Sequence, residues 1–265
     1  MPFLRNDRPL VMAHRGNQAE HPENSLEAMT SAVQLGVDVL ETDVRLTSDN
    51  EFVIFHDETV DRVSDGVGAV HELTLAEIQG LDIGFKVGPD QGFPFRGKGY
   101  RVPTLSDFFD SFPEQKINID IKDLSPTAPK QLAKVIQEHK AEDRVWVGSF
   151  HPEQTYRFRR LLPQVPTAAT AEEVRQFLVS MKLRLLFRVK PEYQGFQVPP
   201  SHEDTTIVTS KFVRMAHKKG VGVMVWTIND EEVMKELVGM GVDGIFTDHP
   251  ERLLKVLNDL GSKES

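Results

Sequence analysis

Glu41 and Asp43 stand two residues apart in the otherwise apolar stretch Val39-Leu40-Glu41-Thr42-Asp43-Val44. Along an extended strand alternate side chains point to opposite faces, so both carboxylates share one face and Leu40, Thr42 and Val44 take the other. Burying two acids side by side is costly unless positive charge compensates them, and a divalent cation is one source of it. Asp120, in Asn118-Ile119-Asp120-Ile121-Lys122, adds a third carboxylate. An all-oxygen set suits one hard cation, Mg²⁺ or Ca²⁺, better than Zn²⁺. Two plainer readings compete: acids at a solvated strand end, and an internal ion pair between Asp120 and Lys122.

Two histidines follow apolar segments, His14 after Leu10-Val11-Met12-Ala13 and His56 after Glu51 to Phe55. A lone histidine at a strand end is more often structural than catalytic, but a pair can divide base and acid roles near neutral pH. Arg15 and Lys122 are cations suited to phosphate oxygens. Trp226 and, more weakly, Phe150 could wall a pocket for an uncharged portion of a substrate, although core packing is the default for Trp226. His151 and His249 each precede a helix-starting proline, and the other histidines read as solvated. Together these parts suggest metal-assisted cleavage of a phosphodiester, with cationic groups neutralising the phosphate and two imidazoles moving protons.

The elements that must position these residues alternate strand and helix. Leu10 to Ala13 reads as a buried strand, and Leu26 to Leu35 as a helix with Asn24 and Glu27 as a capping box and Gly36 as its stop. The Glu41/Asp43 strand and the strand ending at His56 follow. Glycines and prolines then punctuate a polar segment over residues 58–100, in which only Thr74 to Gln79 looks helical. Pro103-Thr104-Leu105-Ser106 opens a helix to Ser111, and Lys116 to Lys122 alternates as a strand with Asn118, Asp120 and Lys122 on one side. Further strands are expected at Val145 to Ser149, Thr167 to Ala169, Val221 to Trp226 and Gly244 to Thr247, with helices between them and a closing amphipathic helix from Pro250 to Leu260. About eight strand-like segments favour a TIM-type (β/α)8 barrel, whose active site lies at the C-terminal ends of the strands. A doubly wound sheet is disfavoured, because no Gly-x-Gly-x-x-Gly turn follows the first strand and no Walker loop occurs. The reading is a single domain over residues 1–265, with a small inserted segment at about 58–100, after the second βα region.

A chain of 265 residues can bury a core without disulfides, and it has no cysteine, which excludes thiol catalysis and fits a reducing, cytoplasmic setting. The first nine residues lack a long apolar run, so no signal peptide is expected, and no stretch reaches transmembrane length. A net charge of −9 argues against general nucleic-acid affinity and against docking on anionic membranes; an anionic substrate would need a local cationic pocket, which a metal with Arg or Lys could build.

The ordered set His14-Arg15-Gly16, Pro22-Glu23-Asn24-Ser25, Gly36 to Val44, His56-Asp57, Pro103-Thr104-Leu105, Asn118 to Lys122, Trp226-Thr227-Ile228-Asn229 and Gly244 to Pro250 resembles the glycerophosphodiester phosphodiesterase family across nearly the whole chain. The resemblance implies a TIM barrel with an insertion and hydrolysis of glycerophosphodiesters to sn-glycerol 3-phosphate and an alcohol. By motif position it implies His14 and His56 as the acid/base pair and Glu41, Asp43 and Asp120 as ligands of one divalent cation. Arg15 and Lys122 would contact phosphate, with Trp226 and Phe150 on the glycerol or leaving-group side. In the family's mechanism a substrate hydroxyl can attack phosphorus before water completes the hydrolysis. The third metal position is often Glu in the family; the shorter Asp120 requires the metal to sit closer to that strand or a bridging water. Two other readings are a lysophospholipase D, favoured by an apolar groove beside the site, and a non-catalytic phosphoester-binding barrel, which would have lost a histidine or a metal acid.

Overall fold

Parallel strands that are covered on both faces must be apolar on both, and the segments between the helices meet that requirement except where they carry the polar residues above. The structure is a computed structural model that describes residues 3–4 and 7–261. Strand β1 (Leu10–His14) is followed by helix α1 (Leu26–Leu35) and strands β2 (Val39–Leu46) and β3 (Phe52–Ile54). Helices α2 (Leu75–Gln79) and α3 (Leu105–Ser111) precede β4 (Lys116–Ile121), α4 (Ala128–Glu138), β5 (Val145–Gly148), α5 (Pro152–Leu161) and α6 (Ala171–Lys182). Then come β6 (Gly195–Val198), the short pair β7 (Ser201–His202) and β8 (Thr205–Thr206), and α7 (Ser210–Lys218). The last elements are β9 (Gly222–Val225), α8 (Glu231–Met240), β10 (Gly244–Thr247) and α9 (Pro250–Gly261). Among the described residues, no helix is long and apolar enough to cross a membrane. The expectation about a signal peptide concerns a segment of which residues 1, 2, 5 and 6 lie outside the described ones.

The parallel strands run in the order β5-β4-β2-β1-β10-β9-β6, with β3 antiparallel on the far end of β2. The remaining gap is bridged by Thr167 and Ala168, which pair in parallel with Val147 of β5 and Gly195 of β6. This eighth stave is too short to be a full strand, but it curls the sheet round into a TIM-type (β/α)8 barrel. Outward residues such as Val11, Leu40, Ile119, Val147 and Val223 pack under the helices in the main core. Inward, Met12, Val39, Trp146, Met224 and Phe246 fill the barrel floor together with Phe3. Gly195 makes room there, since a Cβ at that position would lie 2.7 Å from the Trp146 ring.

The sequence reading did not anticipate helix α4, although Leu132, Val135 and Ile136 are spaced for one buried face, nor strand β6 and the short pair β7 and β8. The expected Asn24 cap is also corrected. Ser25 caps α1, its hydroxyl accepting from the Ala28 N–H, while Asn24 adopts a left-handed backbone at φ +59° and turns its side chain into the barrel. Residues 58–100 form 3-10 turns around α2 and pack Val60, Val63, Ile78, Ile83 and Tyr100 against Val53 and Phe55, next to the His56 end of β3.

Candidate active site

Strand register brings the polar residues together in layers. His14 of β1 is level with Glu41 of β2, and Glu41 with Asn118 of β4; one step toward the C-terminal ends, Asp43 is level with Asp120. All therefore face the lumen above the apolar floor. The chain leaves β1 through Arg15 and Gly16, both with positive φ, and a Cβ on Gly16 would sit 2.7 Å from the Ala28 backbone. That tight turn lets the Arg15 N–H donate to the Glu41 carboxylate at 3.0 Å.

Asp43 is almost fully buried and is the electrostatic centre of the group. Its carboxylate meets Arg15 Nε at 3.0 Å and Lys122 Nζ at 3.2 Å, and accepts from Asn24 Nδ2 at 3.1 Å. Burial opposes its ionisation, but Lys122, Arg15 and His56 overcome that and hold its pKa below the usual carboxylate value. Glu41 has the opposite fate: burial, together with the charge of Asp43, pushes it up to about 7. Arg15 and Lys122 pair with Asp43, so Glu41 has no cation of its own in contact and takes a proton readily.

Lys122 Nζ lies 2.6 Å from Asp120 Oδ2, so the ion pair raised as the plain reading of that spacing is present. Burial would lower the Lys122 pKa, yet Asp120 and Asp43 raise it above its ordinary value. Asp120 Oδ1 is buried and has no hydrogen-bond partner. Among the described residues no three carboxylates or imidazoles are drawn around one point. The donor chemistry nevertheless fits a hard cation: a buried orphan oxygen on Asp120 and a buried Glu41 carboxyl without a cationic side chain against it are both groups that a divalent ion would satisfy.

Each histidine is backed by a carboxylate. His14 Nδ1 is 2.7 Å from Asp248 Oδ1, and Asp248 in turn accepts from Gln18 Nε2 and Asn229 Nδ2, each at 2.7 Å. Burial opposes charging of His14, but the bond to Asp248 and the nearby Glu41 outweigh it and raise its pKa above 6.5. His56 Nδ1 is 2.7 Å from Asp57 Oδ1, and Asp57 is gripped by Arg62. Arg62 also reaches Glu23, which binds Arg15 at 2.9 Å, so the His56 support and the Arg15 guanidinium are joined through one carboxylate. Asp57, Asp248 and Glu23 were not among the expected site residues. Their signal is a carboxylate beside a strand-end histidine, at a strand end, or one turn before a buried helix.

Phe150 follows β5 and is 63% exposed, edge-on to Trp226 at 5.4 Å between ring centroids. Lys122 Nζ sits 4.7 Å from the Phe150 ring centre. The aromatic pair therefore borders the charged cluster on one side, and Trp226 is half-buried and also packs against the apolar floor cluster.

A barrel whose mouth gathers two carboxylate-backed histidines, two cations and three acids defines a hydrolase of phosphate esters. The chain belongs to the glycerophosphoryl diester phosphodiesterase family, whose model matches residues 14–252. It is an enzyme of that class. A glycerophosphodiester phosphodiesterase of Caldanaerobacter subterraneus is 34% identical over 264 residues, covering 96% of this chain and all of the relative. The lysophospholipase D GDPD1 of Mus musculus is 28% identical, covering 95% and 87%. An Oleispira antarctica phosphodiesterase solved with the product sn-glycerol-3-phosphate superposes with a TM-score of 0.77 at 25% identity, covering 95% of this chain and 97% of that one.

Proposed function

We propose that the enzyme hydrolyses small glycerophosphodiesters to sn-glycerol 3-phosphate and an alcohol, with one Mg²⁺ or Ca²⁺ and with His14 and His56 as the proton-transfer pair. The observation that carries this reading is the Nδ1-to-carboxylate contact of both rings, 2.7 Å in each case. With Nδ1–H donating to Asp248 or Asp57, each ring presents Nε2 to the mouth as the nitrogen that takes or gives a proton. Glu41, Asp43 and Asp120 would hold the cation, which when bound polarises the phosphoryl oxygens. Lys122 and Arg15, the cations of the cluster, would supply the positive charge that meets the phosphate oxygens. One imidazole accepts the proton of the attacking substrate hydroxyl and the other protonates the departing alcohol oxygen as its bond to phosphorus breaks. Water then adds to the cyclic phosphate, giving its proton to one imidazole while the other protonates the ring oxygen released, which yields sn-glycerol 3-phosphate. Trp226 and Phe150 flank the uncharged part of the substrate. The likeness to a phosphodiesterase whose structure is in complex with the product sn-glycerol-3-phosphate supports the product assignment.

A second substrate class is favoured by one observation. Leu124 and Phe150, which follow the neighbouring strands β4 and β5, are both exposed at the rim and could accept an acyl chain. Release of glycerol 3-phosphate from glycerophosphocholine, with EDTA and then with Mg²⁺ or Ca²⁺ restored, tests the first reading. Metal-restored release supports it. Choline release confined to lysophosphatidylcholine transfers the assignment to the lysolipid class, and no release from either substrate under any metal refutes both.

A further inference from the structure

The charge of −9 is unevenly spread. Residues 174–191 and 205–229 hold nine of the 31 Lys and Arg and none of the 40 Asp and Glu. These stretches make up nearly all of α6, α7 and the turns that follow them. The two helices are neighbours: Phe177 and Phe212 meet edge to face at 5.6 Å, and Lys219 Nζ donates to the Val189 carbonyl at 2.9 Å. Lys182, Arg184, Arg188 and Lys190 are all exposed, and none forms an ion pair with a described residue. Glu173, the nearest acid on α6, is already taken by Arg159 at 2.8 Å.

Among these cations stand three of the seven large apolar side chains that the described residues expose: Val179 at 52%, Leu183 at 60% and Phe187 at 71%. Val179 and Leu183 are four residues apart and share a side of the helix end, and Phe187 follows in the next 3-10 turn with the Arg188 guanidinium 5.5 Å from its ring centre. Both turns lead into strands: residues 183–194 precede β6 and residues 219–221 precede β9. They therefore lie at the N-terminal ends of the strands, at the opposite end of the barrel from His14 and Asp120.

We propose that this end of the barrel docks reversibly on an anionic lipid bilayer. Leu183 and Phe187 enter the boundary between headgroups and acyl chains while the surrounding Lys and Arg meet the lipid phosphates. The apolar side chains decide against nucleic acid as the polyanion, since a phosphate backbone would engage the charges and leave the aliphatic groups without partners. The acid-rich remainder of the chain is repelled by the same surface, so one orientation is imposed and the mouth faces water. This inference is independent of the substrate reading.

The test is co-sedimentation of the full chain with vesicles of phosphatidylcholine alone and of phosphatidylcholine mixed with phosphatidylglycerol. Binding is expected to the mixed vesicles in about 0.1 M salt and to be lost near 1 M, where the screening length falls to about 3 Å. The double substitution Lys182→Glu with Arg188→Glu should weaken partitioning at least about tenfold. Phe187→Ser should weaken it independently. Both variants should keep the turnover of glycerophosphocholine. Absence of binding, equal binding to neutral vesicles, or binding unchanged in the variants overturns the proposal. So does a concentration-dependent dimer that Phe187→Ser dissolves, which would make the patch an interface between copies.

Discussion

His14, at the end of the first strand, holds Asp248, just past the last one, at 2.7 Å from Nδ1. The barrel's closure between β1 and β10 thus sets the ring's orientation. Asp248→Asn should keep the fold but lose the anionic partner, lowering kcat about 10²- to 10⁴-fold with little change in KM. Steady-state kinetics on glycerophosphocholine checks it, and an unchanged kcat would remove Asp248 from the machinery.

The same pair predicts a pH dependence of stability. His14 has a pKa raised above 6.5, so its charged pair with Asp248 contributes fully below that pH and is lost as pH rises through the folded value. Melting curves should therefore show Tm declining through the pH region just above 6.5 in the wild type. In Asp248→Asn that part of the slope should flatten.

Glu41 is the group that metal removal should expose. At about 7 its pKa lies above the unfolded 4.5, so the metal-free fold binds the extra proton and loses stability as pH rises from about 4.5 to about 7. Glu41→Gln is expected to raise Tm at pH 8 in EDTA while abolishing most turnover. Added Mg²⁺ or Ca²⁺ should raise Tm of the wild type and leave the variant unmoved. Equal shifts in the two proteins would exclude Glu41 as a ligand.

Asn24 ties the loop before α1 to the charged face, donating to Asp43 and accepting from Thr42 Oγ1 at 2.9 Å. Asn24→Ala leaves both partners short of a hydrogen bond and places alanine in a left-handed backbone, so a loss of about 1–3 kcal/mol is expected in denaturant unfolding. Asn24→Gly retains the backbone and separates the two causes.

Phe150→Ala should cost little stability, because the ring is mostly in water, and should act chiefly on KM. A larger effect with glycerophosphocholine than with glycerophosphoethanolamine would assign the ring to the alcohol side of the substrate.

Residues that announce themselves in sequence are those whose chemistry conflicts with their surroundings. Glu41, Asp43 and Asp120 stand out because they interrupt apolar strands, and alternation alone places them on one face. Asp248 and Asp57 give no such signal: their meaning comes from a partner 234 residues away in one case and from a contact between adjacent side chains in the other. Asn24 misled because its type favours helix caps, and the competition was settled by Ser25, one residue nearer the helix, and by the unmet needs of Asp43. The stave at Thr167–Ala168 was legible as extended, yet its brevity is a matter of closure geometry that no local pattern encodes.

The packed floor of Trp146, Met12, Met224 and Phe246 has a kinetic corollary. With that end plugged, substrate and water arrive, and glycerol phosphate and alcohol depart, through a single doorway. Traffic through it is mutually exclusive, so accumulated glycerol phosphate should act as a competitive inhibitor, tying the enzyme's throughput to how quickly its own product is drawn off.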